Sequence, residues 1–177
     1  MKIKLASNTI PNEHIDSLSN WLKTFPKLTK GDLTIEFEKQ FSKFLGCSQS
    51  RLVNSGSSAN LLIAAANLHY KKLKSLRIGI PAVSWSTTLA PFIQLGYEPI
   101  LIDCDPINLG INIDHLTQII KEDKISSLIL VHVLGHDSNI NKIKDICSEY
   151  KIRLFEDSCE ALGSVCDGNK LGNFGLA

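Results

Sequence analysis

Leu128-Ile129-Leu130-Val131-His132-Val133-Leu134 is a near-continuous apolar run, broken only by His132. A run this short reads as a strand buried on both faces of a sheet. Downstream, Ile140–Tyr150 has the spacing of an amphipathic helix, and Ile152–Phe155 reads as the next strand, running into Glu156-Asp157. Upstream, the same alternation goes back through a helix at Ile113–Lys121, a strand at Pro99–Asp103, a helix at Ser86–Leu95 closed by Gly96, and a strand at Arg77–Pro81. Before these stand a short extended piece, Arg51–Asn54, a turn of small residues, and a helix through Leu62, Ala65 and Leu68. Repeated β-α-β units of this length predict an α/β fold: a mostly parallel sheet with helices on both faces.

The first 46 residues differ in kind. Pro11 can open a helix whose apolar positions Ile15, Leu18, Leu22 and Phe25 recur every three or four residues, and Pro26 stops it. A second helix carries Phe37, Phe41 and Phe44 on one face, a row that reads as core, and Gly46 ends it. The expected organisation is thus an N-terminal helical segment, 1–46, and an α/β portion, 47–177.

Composition limits the function classes. The chain has 177 residues, 44% hydrophobic and 21% charged, with 19 Lys and Arg against 18 Asp and Glu. That balance argues against disorder and against a nucleic-acid-binding stripe. No apolar run approaches the roughly 18 residues of a membrane span. The opening MKIKLASNTIPNEH does not read as a signal peptide, so a cytoplasmic protein is expected. Cys47, Cys104, Cys147, Cys159 and Cys166 are odd in number and lack metal-site spacing; they read as reduced thiols.

In a parallel sheet, ligands bind at the carboxyl ends of the strands. Four features of the sequence fall there. Asn54-Ser55-Gly56-Ser57-Ser58-Ala59-Asn60 is a strand-turn-helix in which Gly56 lets backbone approach a ligand, and Ser57 and Ser58 offer amides and hydroxyls suited to phosphate. A plain N-cap by Ser55 or Ser57 would explain the same residues. Trp85, in the loop after the Arg77–Pro81 strand, can stack on a planar ring or pack half-buried on the sheet edge. Asp157 can hold a ring nitrogen protonated or cap the next turn. His132 reads as a satisfied core residue rather than a catalytic one. Together the first three offer a phosphate cradle, a stacking plate and an anion, which is what a phosphorylated pyridine such as pyridoxal phosphate needs.

The chain also resembles the DegT/StrS-type nucleotide-sugar aminotransferases, enzymes of the fold type I pyridoxal-phosphate architecture. The resemblance is carried by GDLTIEFEKQFSKFLGC (31–47), VNSGSSANLLIAA (53–65), IPAVSWSTTLAPFIQLGYEPILIDCD (80–105) and LFEDSCEALGSVCDGNKLGNFG (154–175). It implies that Gly56, Ser57 and Ser58 bind the cofactor phosphate, that Trp85 stacks on the pyridine ring, and that Asp157 pairs with its nitrogen. It makes 47–177 part of the cofactor-binding large domain, and implies an amino donor such as glutamate, a nucleotide-linked ketosugar acceptor and a homodimer.

Three stretches depart from the commonest aminotransferase pattern: NSGSSAN in place of SGT or SGS followed by Ala-Leu, Glu160 where Gln is usual, and HVLGH in place of HLYG or HLFG. They look more like the branch of the family that removes the 3-hydroxyl of nucleotide-linked 4-keto-6-deoxyhexoses, where a His replaces the Schiff-base Lys and the cofactor works as pyridoxamine phosphate. A carboxylate at Glu160 can only accept a hydrogen bond from the ring hydroxyl unless it is protonated. The family's Lys or His comes shortly after LGNFG. Lys170 precedes that motif, so the expected catalytic residue lies beyond Ala177 and the 177 residues read as part of a longer enzyme. A non-catalytic remnant is the third reading.

Overall fold

The strands form where apolar β-branched residues cluster. In the computed structural model they are β1 (Arg77–Pro81), β2 (Glu98–Ile102), β3 (Ser127–Val131) and β4 (Arg153–Asp157). All pair in parallel, in the order β2-β1-β3-β4. The described residues are 9–70, 73–122 and 125–177; the first eight residues of the expected N-terminal segment lie outside them. Helices α1 (Asn12–Leu22), α2 (Asp32–Leu45), α3 (Gly56–His69), α4 (Ser86–Gln94), α5 (Ile113–Lys121) and α6 (Ile140–Glu149) complete the fold, with a small antiparallel pair, β5 (Val165–Cys166) and β6 (Asn169–Lys170).

Strand alternation sorts the core into two layers. Leu128, Leu130 and Leu154 face α5 and α6, in a cluster with Leu116, Ile119, Ile140 and Ile143. Ile78, Ile80, Ile129 and Phe155 face the other way, onto Ala64 of α3 and Phe92 of α4. Each such fully buried side chain contributes about 1.5–3 kcal/mol relative to exposure. Gly79 lets the first layer close over β1: a Cβ there would sit 2.8 Å from Ile102 Cδ1 and 2.9 Å from Leu128 Cδ1.

α3 is anchored across the sheet by two polar side chains. Its buried residues are Asn60, Ala64 and Asn67, spaced four and three apart on one face. Asn67 Nδ2 donates to Ser127 Oγ at 3.0 Å, and Asn67 Oδ1 accepts from Arg153 Nη1 at 2.7 Å, at the amino ends of β3 and β4. Asn60 does the matching work at the carboxyl end.

Four local expectations need correcting. The run from Leu128 does not stay extended to Leu134: β3 stops at Val131, and the chain turns over Val133–Gly135, where Leu134 takes a left-handed φ of +53 and Gly135 one of +80. Helix α1 ends at Leu22, and Phe25, at φ +52 and 94% exposed, lies outside it. The Phe37–Phe41–Phe44 row exists, its rings 5.8 and 5.9 Å apart, yet Phe37 and Phe44 are about half exposed. The buried residue of α2 is Glu38 instead. Its carboxylate accepts from Lys30 Nζ and the Leu52 amide, both at 3.0 Å, and so ties α2 to the chain leading into α3. Arg51–Asn54, expected as a strand leading into the turn, has no strand partner among the described residues. Gly46 does end α2, as expected, in the left-handed region at φ +88.

Candidate functional site

The strand order creates the crevice. The chain passes from β1 to β2 on one side and then crosses to β3 on the other, so connections diverge at the carboxyl ends of β1 and β3. With Ile78 opposite Ser127 and Val131 opposite Asp157, β1, β3 and β4 end at nearly the same level.

Asp157 closes β4 and draws the starts of α3 and α4 to that edge. Its Oδ2 accepts from Asn60 Nδ2 at 3.0 Å and from Thr88 Oγ1 at 2.9 Å. Asn60 Nδ2 also reaches the Thr87 carbonyl at 3.3 Å. Asn60 lies one turn into α3, so the Gly56–Ser58 start of that helix is held beside the carboxylate. Thr88 lies one turn into α4, whose N-cap is Trp85, so Trp85 is held there too. Cradle, plate and anion therefore meet at one sheet edge. Trp85 does not pack half-buried on the sheet edge, since the residue stands 73% exposed.

The carboxylates of β4 differ in how fully they are satisfied. Burial pushes Asp157 up, but hydrogen bonds from Asn60, Cys159 and Thr88 outweigh it and hold Asp157 below the ordinary aspartate range. An ionised carboxylate has about four acceptor positions. Oδ2 has two good donors, while Oδ1 has a 3.3 Å contact from the Cys159 amide. The Cys159 thiol, pushed up to about 11 by partial burial and by Asp157 itself, stays neutral beside it. Asp157 is thus a fixed anion with capacity left on Oδ1.

Glu156 faces the opposite side and has no such capacity. Oε2 accepts from Gly172 N at 2.9 Å and pairs with His132 Nε2 at 2.8 Å; Oε1 accepts from Phe174 N at 2.7 Å and Gly175 N at 2.6 Å. Burial alone would raise its carboxyl, but His132 and the three amides overcome that and lower it. Ionised Glu156 makes His132 Nε2 the donor. His132 is fully buried, and its Nδ1 finds no partner among the described residues, so the core-histidine reading holds on one nitrogen only.

At the start of α3 the N-cap reading is correct, and it leaves room for more. Ser55 Oγ accepts from the Ser58 amide at 3.2 Å and donates to Ser58 Oγ at 3.2 Å. The amides of Gly56 and Ser57 have no hydrogen-bond partner among the described residues. Around Gly56 a Cβ would meet nothing within 4 Å, so the cradle opens to a ligand. Ser55→Ala should cost about 1 kcal/mol of stability, read as a lower Tm.

Glu160 is engaged elsewhere: its Oε2 accepts from the Leu134 amide at 2.7 Å, tying the turn after β4 to the turn after β3. It shares no hydrogen bond with Asn60, Thr88 or Asp157. Lys170 Nζ lies 4.7 Å from the Phe44 ring centroid. All five cysteines are free, and no metal-binding cluster occurs among the described residues. No helix of the described residues is long and apolar enough to cross a membrane. Asn60 and Thr88 are the site residues that sequence reasoning missed. For Asn60 the available signal was its spacing from Asn67, which puts two Asn side chains on one face of a helix rich in Leu and Ala.

The DegT/DnrJ/EryC1/StrS aminotransferase family matches residues 8–177. The GDP-4-keto-6-deoxy-D-mannose 3-dehydratase of Yersinia pseudotuberculosis is 34% identical over 175 residues, 97% of this chain and 44% of that one. The GDP-perosamine synthase of Vibrio cholerae is 25% identical, over 93% of this chain and 42% of its own. Among solved structures, GDP-4-keto-6-deoxymannose-3-dehydratase with a trapped PLP–glutamate geminal diamine superposes with a TM-score of 0.89 at 34% identity, over 99% of this chain and 46% of that one. The chain spans less than half the length of these relatives. It belongs to the DegT/DnrJ/EryC1/StrS aminotransferase family, whose architecture is that of the fold type I pyridoxal-phosphate enzymes.

Proposed function

We propose that this chain forms the cofactor-holding part of a pyridoxal-phosphate-dependent enzyme of nucleotide-sugar biosynthesis. The observation that carries the proposal is the bonding of Asp157 Oδ2 to Asn60 and Thr88, which fastens the α3 start and Trp85 around one ionised carboxylate. The donor set fits the cofactor: unpaired amides and an open Gly56 for phosphate, an exposed indole for the ring, and Asp157 Oδ1 for the ring N–H. When bound, pyridoxal or pyridoxamine phosphate supplies an electron sink for the carbon next to its ring. Gly56 and Ser57 would donate their amides to the phosphate, joined by the Ser57 and Ser58 hydroxyls. Trp85 would cover one ring face, and Asp157 would keep the ring nitrogen protonated by pairing with it. Glu160, tied to Leu134, would reach the ring hydroxyl only through its second oxygen.

Between the two reactions, the identities favour 3-dehydration: the 3-dehydratase relative stands at 34% and the synthase of an amino sugar at 25%. This agrees with NSGSSAN, HVLGH and Glu160. Transfer of an amino group to a nucleotide-linked 4-keto-6-deoxysugar, from a donor such as glutamate, is the reading that the resemblance put first. In both, the resemblance implies that a His or Lys following the LGNFG motif carries the proton. A homodimer in the cytoplasm, with 1–46 as a helical segment ahead of the cofactor-binding part, belongs to the same proposal.

The test incubates the full-length protein with pyridoxal phosphate, glutamate and GDP-4-keto-6-deoxymannose. Mass spectrometry showing loss of the 3-oxygen supports dehydration; nitrogen at C4 supports amino transfer; an unchanged sugar counts against both on this substrate. Trp85→Ala should weaken pyridoxal phosphate binding about tenfold, from lost stacking and contact area. Unchanged affinity in an absorbance titration would remove Trp85 from the site.

A further inference from the structure

We infer that Glu156, gripped by His132, is a positioning residue for the cofactor site: it locks the Gly172–Gly175 loop to the strand end that presents Asp157. This rests on the proposed pairing of Asp157 with the ring nitrogen. Glu156 and Asp157 are consecutive on β4 and so point to opposite faces, sharing one peptide group. On its face, Glu156 spends every acceptor position on His132, Gly172, Phe174 and Gly175. Its main chain is held as well: the Glu156 amide donates to the Ala177 carbonyl, and the Leu176 amide to that of Leu154, both at 2.8 Å. His132 grips both neighbours, since its own amide donates to the Asp157 carbonyl at 3.2 Å. Close packing leaves this loop little freedom, with an ideal Cβ on Gly175 falling 2.6 Å from the Leu154 carbonyl oxygen.

A carboxylate that served only as the hydrogen-bond partner of a buried histidine would not need three loop amides. The arrangement instead couples two segments: Asp157, which meets the ring, and 172–177, which runs along β4 beside it. A shift of the Glu156 side chain would therefore tilt Asp157 relative to Asn60 and Thr88.

The test compares wild type, E156Q, H132Q and D157N in the full-length protein. Its probes are the Kd for pyridoxal phosphate and the visible circular dichroism of the bound ring, measured where far-ultraviolet spectra show folded protein. E156Q should raise the Kd about tenfold, at the low end for partners one layer behind a ligand, and shrink the visible band. H132Q keeps an amide donor for Glu156 and should stay closer to wild type than E156Q. Wild-type Kd and visible band in E156Q would overturn the inference, whatever its Tm. If E156Q does not fold, hydrogen exchange on wild type decides: pyridoxal phosphate should slow the Gly172, Phe174 and Gly175 amides, and unchanged rates would overturn it. D157N with wild-type binding and spectrum would instead remove the Asp157 reading itself; D157N altered with E156Q unaltered would remove only the positioning role.

Discussion

Asp157→Ala in the full-length protein is expected to lower turnover about 10²–10³-fold, the usual loss when one preorganised charge facing the reacting system is deleted. The carboxylate is held ionised by Asn60, Thr88 and Cys159, so its charge is fixed before any ligand arrives. Its loss would leave the ring nitrogen with no anion, and the ring would draw electrons less strongly. The fold should survive. Thr88 loses its acceptor while buried, but Asn60 retains the Thr87 carbonyl. One orphaned donor costs about 1–3 kcal/mol, against a typical margin of roughly 5–15 kcal/mol. D157N, which keeps the shape and one acceptor, should be folded more stably than the alanine variant and be nearly as slow. The kinetic signature is a fall in kcat at saturating cofactor. Near-normal turnover in a folded Asp157→Ala protein would refute the electron-sink role.

Much of this site was legible because its parts sit in local patterns. Strand alternation placed Asp157 at the end of β4, Gly56 opened α3, and Trp85 followed β1 in a loop of small residues. The α/β fold followed from the same periodicity, with α5 found at the residues expected. What stayed hidden depends on contacts far apart in sequence. Asn60 bonds a residue 97 positions away and Thr88 one 69 away, and no local pattern records such a pairing. The end of β3 was hidden for a related reason. Val133 and Leu134 are as apolar as a strand requires, but the chain turns there, with the Leu134 amide held by Glu160 26 positions away. The aromatic row of α2 shows the reverse case: helical spacing was read correctly, yet spacing cannot tell which face is covered, and the buried position went to Glu38 with its Lys30 and Leu52 partners.

Glu156→Ala is expected to be the most destabilising change, about 3–5 kcal/mol at neutral pH, because it orphans several buried donors at about 1–3 kcal/mol each. Four donors lose their acceptor at once: His132 Nε2 and the amides of Gly172, Phe174 and Gly175. Their losses do not add in full, since a loop released from β4 can rehydrate its amides. His132 cannot follow it, because the side chain is fully buried and Nδ1 already lacks a partner. The pH dependence gives the sign of the charge. Glu156 titrates below its ordinary value of 4.5 in the folded protein. A carboxyl lowered on folding adds stability that is fully present above its unfolded pKa and is lost as pH falls through the folded one. The gap between wild type and Glu156→Ala should therefore narrow as pH is taken from about 7 to below about 4. Urea midpoints across that range measure it. A gap as wide at pH 3 as at pH 7 would mean that the lost volume, and not the lost charge, was holding the 172–175 loop.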